Sequence, residues 1–353
     1  MTKQKRILIA PLNWGLGHAT RCIPIIRALK EHQYTPVIAS DGVALELLKK
    51  EFPTLKTVQL PSYQIQYAVK GKNFKLKMIW DSPKIIKAVT EEKKQLNKII
   101  DEYNIDGIIS DNRMGIYSSK VPSVFITHQL NVLTGNTTWL SSRMHQQIIK
   151  KFDECWVPDV EEKPNLTGKL GHLKNSTLNI KYLGPLSRLE KKEQKTVYDL
   201  MVIISGPEPQ RTMLENLLTK EVDNFEGNVL FVKGKIEKEQ TIERQGHVTF
   251  FNFMNSAELE AAFNQSRTVL SRSGYTTVMD LAKLEKKAFF IPTPGQYEQK
   301  YLAKRLDKHG IVPYARQEEF RIEDLKKIDE YTGLTDFKTA IDYAGLFRLF
   351  ESK

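Results

Sequence analysis

The stretch from Val269 to Ala303, VLSRSGYTTVMDLAKLEKKAFFIPTPGQYEQKYLA, constrains this chain more than any other. Val269 and Leu270 close an apolar run, and Ser271-Arg272-Ser273-Gly274 is a short turn. Val278, Leu281, Ala282 and Leu284 then recur at helical spacing, and Ala288 to Ile291 reads as a second buried strand. In such a βαβ unit, ligands sit beyond the carboxyl ends of the strands, where helix N-terminal N–H groups face outward. Gly274 lets a phosphate approach the backbone. Asp280, roughly two helical turns further in, is placed to accept hydrogen bonds from ribose hydroxyls. Past the next strand, Gly295-Gln296-Tyr297-Glu298-Gln299 gathers amides and a carboxylate at the same edge. The combination predicts a nucleotide-sugar site. The bland alternative is a glycine turn and a solvated loop of any α/β domain.

At 353 residues the chain favours two domains, each large enough for its own core. No run of about 18 apolar residues occurs, so no transmembrane helix is expected. The apolar run Ile7 to Pro11 is too short for a signal peptide and feeds a glycine loop. With only Cys22 and Cys155, neither a disulfide framework nor a cysteine-rich metal site is expected. The sequons at Asn136, Asn165 and Asn175 are then chance matches in a cytoplasmic protein.

The net charge of +11 is concentrated: within residues 66–100, nine lysines meet only Asp81, Glu91 and Glu92. Tyr67, Val69, Phe74, Leu76, Met78, Ile79 and Trp80 are interleaved there with Lys70, Lys72, Lys75 and Lys77. From Pro83 a helix is expected to about Tyr103, with Ile85, Ile86, Val89, Leu96 and Ile99 as its apolar side. Aromatic and aliphatic groups among lysines suit a surface that dips into a headgroup region held by anionic lipid. An ordinary amphipathic core helix with a solvated lysine face fits equally. Nucleic acid is disfavoured, because no recognised motif accompanies the charge.

Residues 6–11 form a first strand, followed by the turn Asn13-Trp14-Gly15-Leu16-Gly17-His18 and a helix carrying Ile23, Ile25, Ile26, Ala28 and Leu29. This looks like a dinucleotide fingerprint, but Thr20 stands where the third glycine belongs and His18 is odd beside a pyrophosphate. Further strands end in polar clusters, Asp111-Asn112-Arg113 and His128-Gln129-Leu130-Asn131, which imply a lined cleft. A Lys/Glu-rich run from Arg188 to Lys195 reads as a linker. A second α/β set follows, with strands at Leu200–Ile204, Val229–Val232 and Val248–Phe251, helices around Met213 and over Ala257–Phe263, and a final helix from Ala340 to Phe350. The expected fold is α/β, two facing Rossmann-like domains with an interdomain cleft. The boundaries are 1–186 for the acceptor side, 187–335 for nucleotide-sugar binding, and 336–353 for the terminal helix.

Over most of its length the chain resembles the GT-B glycosyltransferases, specifically the MurG-like group of glycosyltransferase family 28. Ser271-Arg272-Ser273-Gly274, Thr277-Val278, Asp280, Pro292 and Gln299 follow that group's donor motif in order and spacing. Gly15-Leu16-Gly17-His18 matches its first glycine loop, His128 and Asn131 match a second loop facing the sugar, and Gly184 to Arg188 fits its interdomain segment.

The resemblance implies an inverting transfer from a nucleotide-sugar, with UDP as the nucleotide, to a lipid-linked or cell-envelope acceptor. It implies no cofactor and no catalytic metal. His18 is the candidate base, its alternative role being to hydrogen-bond the turn or a phosphate, and Asp111 is the second candidate. By resemblance Asp280 holds the ribose, while Gln299 and Glu298 hold sugar hydroxyls. Backbone at Phe251 and Asn252 contacts uracil. Ser205, Gly206, Ser273 and Gly274 cradle the diphosphate, helped by Arg188 and Arg272, although Arg272 is equally readable as structural. Gly15, Gly17, His128 and Asn131 line the acceptor side. The protein is expected in the cytoplasm, peripheral at the inner face of the membrane through residues 66–100, with no nucleic-acid partner.

Two departures bear on that carry-over. The group's second glycine loop reads here Ser205-Gly206-Pro207-Glu208-Pro209-Gln210, in which prolines remove N–H donors and Glu208 adds negative charge beside Arg211. Lys300 replaces a second glutamine, so the sugar is not assigned. Competing readings are a UDP-sugar epimerase or hydrolase on the same fold, and a non-catalytic module that binds a nucleotide-sugar or glycolipid.

Overall fold

Short apolar runs alternating with helical periods bury both faces of each strand only in a parallel sheet covered by helices. A computed structural model describes residues 4–63, 74–133, 138–235, 237–337 and 340–351, and the side chains of 74–85 lie outside that description. The chain divides into two units, one made of the described residues up to 188 together with 340–351, the other of 189–337.

The first unit is built on strands β1 (Arg6–Pro11), β2 (Thr35–Ser40), β3 (Lys56–Gln59), β4 (Gly107–Asp111), β5 (Ser123–Ile126), β6 (Glu154–Val157) and β7 (Ile180–Tyr182). They form one parallel sheet in the order β3-β2-β1-β4-β5-β6-β7. Helices α1 (Leu16–Glu31), α2 (Gly42–Glu51), α3 (Phe74–Tyr103) and α4 (Thr138–Ile149) connect the strands. The strand order turns back between β1 and β4, and Pro11 pairs with Asp111 there. That topological switch point brings the loop after β1 beside the end of β4, the place where open α/β sheets bind ligands.

Two elements depart from the sequence reading. α3 begins at Phe74, nine residues before the expected start at Pro83, and α4 was not anticipated. Trp139, Leu140 and Met144 of α4 are exposed, so its apolar side is split between core and solvent and gives a blurred helical period. Residues 64–73, which hold Lys70 and Lys72, lie outside the described residues.

The C-terminal segment completes the first unit. Its helix, α9 (Tyr343–Phe347), is shorter than the run expected from Ala340 and passes into a 3₁₀ turn at Arg348–Phe350. Phe347 and Phe350 are buried in one cluster with Ile7, Trp156 and the inner side of α1. Phe350 packs so closely on β4 that a Cβ at Gly107 would lie 2.4 Å from its ring.

The second unit carries β8 (Tyr198–Ile203), β9 (Val229–Val232), β10 (Ile242–Gln245), β11 (Val248–Phe251), β12 (Ser266–Ser271) and β13 (Lys287–Phe290) in the order β10-β11-β9-β8-β12-β13. Helices α5 (Gln210–Glu221), α6 (Ser256–Asn264), α7 (Tyr275–Lys283) and α8 (Tyr297–Lys308) accompany them. β10 is an antiparallel edge strand, exposed at every residue, and so carries no apolar signal in the sequence. The switch point lies between β8 and β12, where Ile203 pairs with Ser271. The loop after β8 and the turn after β12 therefore sit side by side.

Candidate functional site

In the first unit the site forms where β1, β4 and β5 end. Gly15 takes φ +76°, a conformation that favours glycine, and α1 starts directly after it. His18 and Arg21 follow three residues apart, on one face of that helix. The loop after β5 contributes His128.

Asp111, fully buried at the end of β4, lies 2.8 Å by Oδ1 from His18 Nδ1. Arg21 grips the same carboxylate with a fork: Nε donates to Oδ2 at 2.5 Å and Nη2 donates to Oδ1. Arg21 Nη2 is 2.9 Å from His18 Nδ1, and Nη1 is 3.0 Å from His128 Nδ1. The Cys22 thiol sits 3.7 Å from Oδ2, and burial raises its pKa well above the usual range. Burial would raise the Asp111 carboxyl, but the adjacent Arg21 and His18 hold it well below the usual carboxylate range. On His18 burial and the Arg21 charge lower the pKa against the opposing pull of Asp111. The imidazole is therefore neutral near pH 7, and its Nε2 makes no hydrogen bond among the described residues.

The two candidate bases read from the sequence are thus one unit: a histidine oriented by a buried carboxylate. Asn131 has a backbone role. Its Nδ2 donates to the Lys169 carbonyl at 2.6 Å and its N–H to the Leu170 carbonyl at 3.0 Å, pinning the loop after β5. Gly17 lies in the first turn of α1. Arg188 is half-buried after β7, its carbonyl 3.4 Å from Arg27 Nη1.

Sequence reasoning missed Arg21, whose only signal was its three-residue offset from His18. It also missed a buried ion cluster beneath the glycine loop. Arg113, fully buried, pairs with Glu92 of α3 at 2.5 Å and with Asp41 before α2, and donates to the Pro11 and Pro61 carbonyls. Tyr63 donates to Glu92 at 2.7 Å, and Asn13 donates to Asp41 at 3.1 Å. The cluster fixes the segment two residues beyond Asp111.

In the second unit, Ser205 and Gly206 lie in the loop after β8, and Gly206 takes φ +112°. Ser273 Oγ donates to the Gln299 carbonyl at 2.8 Å, which joins the turn before α7 to the start of α8. Gly274 has ordinary dihedrals, and a Cβ there would meet only Thr277 Oγ1 at 3.7 Å. Nothing within the chain requires glycine at that position, which suits a ligand lying against it. Gln299 Oε1 accepts from Thr293 N–H at 2.8 Å, and its amide donates to Gln296 at 2.8 Å, so its side chain shapes the 292–299 loop. Asp280 lies within α7 and Glu298 in the first turn of α8.

Two residues expected at the donor site are held within a dense network of contacts. Arg272 is buried, with Nη1 and Nη2 donating to the carbonyls of Ile291, Pro292 and Gln210 and to Gln317, and burial lowers its pKa to about 10. It braces three loops, the structural role that the sequence also left open for it. Asn252 is likewise engaged: its backbone N–H donates to the Thr241 carbonyl and its carbonyl accepts from the Lys235 N–H. Its side chain holds Glu237, Glu239, Thr241 and Phe253. The Phe251 carbonyl accepts from Lys233.

The loop from Ser205 to Gln210 is neutralised from within. Glu208 accepts from Arg211 Nε at 2.6 Å and from the Thr212 N–H at 3.2 Å, capping α5 with the chain's own carboxylate. Around Arg272, three buried polar atoms have no partner among the described residues: Arg272 Nε, Thr293 Oγ1 and Gln210 Oε1. Such atoms ask for a ligand or water. Among the described residues no His/Cys/Asp/Glu cluster could hold a metal, and no helix is long and apolar enough to cross a membrane.

Residues 201–331 match the glycosyltransferase family 28 C-terminal domain. The UDP-N-acetylglucosamine--N-acetylmuramyl-(pentapeptide) pyrophosphoryl-undecaprenol N-acetylglucosamine transferase of Clostridium tetani is 25% identical over 86% of this chain and 83% of its own length. The transferase of the same name from Haemophilus ducreyi is 24% identical over 92% and 88%. Among solved structures, Acinetobacter baumannii MurG covers 99% of this chain and 100% of its own, with TM-score 0.60 and 11% identity. A UDP-glucosyltransferase from Polygonum tinctorium covers both chains fully, with TM-score 0.69 and 11% identity. The fold, the two switch-point sites and these likenesses define a glycosyltransferase of the GT-B class. Within that class, the chain is similar to the MurG-like transferases, and its second unit carries the match to the family 28 C-terminal domain.

Proposed function

We propose that this enzyme transfers a sugar, with inversion, from a UDP-sugar to a hydroxyl of a lipid-linked acceptor at the inner face of the cytoplasmic membrane. The observation that carries the reading is the His18–Asp111 pair at the first switch point, with Nδ1 held by the carboxylate at 2.8 Å. His18 Nε2 takes the acceptor's hydroxyl proton as that oxygen attacks the anomeric carbon. The bond from that carbon to the diphosphate breaks, and UDP leaves carrying the negative charge. Asp111 stays ionised and stabilises the imidazolium, as a buried carboxylate does for a base histidine.

In the second unit, Asp280 holds the ribose, Glu298 and Gln299 line the sugar, and the N–H groups at Ser273 and Gly274, with Ser205 and Gly206, receive the diphosphate. Arg188 supplies positive charge to the leaving group. Membrane contact runs through residues 66–100, of which the exposed Ile86 is a described part. Glu208, capping α5 where a diphosphate would gain from the helix N-terminus, favours a second reading: a binding module with weakened donor affinity.

A thermal-shift screen against UDP, GDP, dTDP, NAD and UDP-sugars, with Asp280→Ala alongside, is the first test, since a ligand of the folded state raises the melting temperature by mass action. A UDP-dependent shift that Asp280→Ala removes supports the donor site. Label from a UDP-sugar entering a polyprenyl-pyrophosphate acceptor then separates transfer from binding alone. Binding to anionic vesicles that survives changing Lys70, Lys72, Lys75 and Lys77 to Glu would end the membrane reading.

A further inference from the structure

Arg21 touches Asp111, His18 and His128 together, and its chemistry fixes what the two imidazoles can do. A guanidinium only donates hydrogen bonds. At 3.0 Å from Arg21 Nη1, His128 Nδ1 must therefore be the acceptor, which leaves the His128 proton on Nε2. His18 is placed differently. Its Nδ1 is 2.8 Å from Asp111 Oδ1 and 2.9 Å from Arg21 Nη2, but that Nη2 already donates to the same carboxylate oxygen. An ionised carboxylate accepts only, and a charge-assisted bond to it outweighs a bond from arginine to a neutral ring. His18 therefore carries its proton on Nδ1 and a lone pair on Nε2.

We infer that Arg21 is a positioning residue that, through Asp111 on one side and directly on the other, sets opposite tautomers on His18 and His128. The rings are 6.5 Å apart between centroids, so a proton acceptor and a proton donor stand side by side at the end of the sheet. On the proposed function, which this inference presupposes for its catalytic meaning, His18 takes the proton of the acceptor hydroxyl while His128 donates a hydrogen bond to an oxygen of the bound sugar or acceptor. Arg21 also bears on availability. The charged or titratable groups around His18 are Asp111 from β4, Arg21 from α1, His128 from the loop after β5, and the Cys22 thiol against Asp111. Among these, the guanidinium opposes an imidazolium and keeps the base neutral to lower pH.

Long-range ¹H–¹⁵N spectra of the full chain labelled at histidine, assigned with His18→Gln and His128→Gln, report the tautomers directly at pH 7.5. The expected result is Nδ1–H on His18 and Nε2–H on His128. In Arg21→Lys, which keeps the charge but loses the fork, His128 should become a mixture while His18 stays fixed by Asp111. The doubly neutral variant Arg21→Met with Asp111→Asn, which leaves no lone buried ion, should release both rings and shift the acid limb of the rate profile. Finding the His18 proton on Nε2 in the wild type, or an unmoved His128 in Arg21→Lys, would overturn the inference. A merely structural Arg21 would lower the folded fraction without altering either ring. Should the tautomers be as stated while no UDP-sugar yields transfer, the functional reading fails and the assignment of Arg21 stands.

Discussion

Replacing Asp111 with Asn keeps the shape of the buried side chain and removes its charge. The wild-type carboxylate accepts from Arg21 twice and from His18 once, at full burial. An Asn carbonyl can keep Arg21 Nε, but its amide then points two protons at His18 Nδ1 and Arg21 Nη2. His18 answers by turning Nδ1 into an acceptor, which moves its proton to Nε2 and removes the lone pair that would take the acceptor's proton. Loss of a positioned general base costs on the order of 10²–10⁴ in rate, or about 3–5 kcal/mol of barrier. The Arg21 guanidinium, only 3% exposed, loses the Asp111 counter-ion and keeps the neutral His128 and the Asn carbonyl as partners. Breaking a buried pair in this way costs about 3 kcal/mol of stability. The assay is initial-rate transfer into a polyprenyl-pyrophosphate acceptor, normalised to the folded fraction from urea unfolding. UDP affinity, a property of the second unit, should be unchanged. A rate within threefold of wild type and an unmoved acid limb would refute the role given to the pair.

Gly274→Ala should fold within about 0.5 kcal/mol of wild type, since the new Cβ meets only Thr277 at 3.7 Å, yet lose about tenfold or more in UDP affinity because that methyl occupies the place of the diphosphate. Equal affinity by calorimetry would remove the diphosphate from that turn. Asn252→Ala orphans the Thr241 and Phe253 N–H groups that its Oδ1 accepts at 2.8 and 2.9 Å, for a loss of about 2–3 kcal/mol. Hydrogen exchange at those two amides should accelerate, and unchanged protection would contradict the assignment. His145 is pushed down to about 4 by burial, with His128 adding to the effect. A folded pKa below the ordinary ~6.5 means that its contribution is complete above that pH and is lost as pH falls toward 4. Wild type should therefore lose about 2 kcal/mol more than His145→Leu between pH 7.5 and 5, and parallel unfolding curves would show otherwise.

The sequence by itself determined the α/β class and the position of the donor motif. Buried parallel strands and their helices each leave a local signature: an apolar run, a 3.6-residue period, or a glycine where the chain turns. The Ser271 to Gly274 turn and the Gly15 to His18 turn were legible for that reason. Strand order was not, because pairing β1 with β4 and β8 with β12 depends on residues some 70 to 100 positions apart. Only the tertiary structure decided that Asp111 and His18 act as one pair, that Arg21 joins them to His128, and that Phe350 seals the first unit. It also showed that Arg272 braces the loops around it and that the Asn252 side chain ties together the segments on either side of β11. An arginine that braces carbonyls and one that lies in open solvent have the same letter in the sequence, and only the packing around them tells them apart.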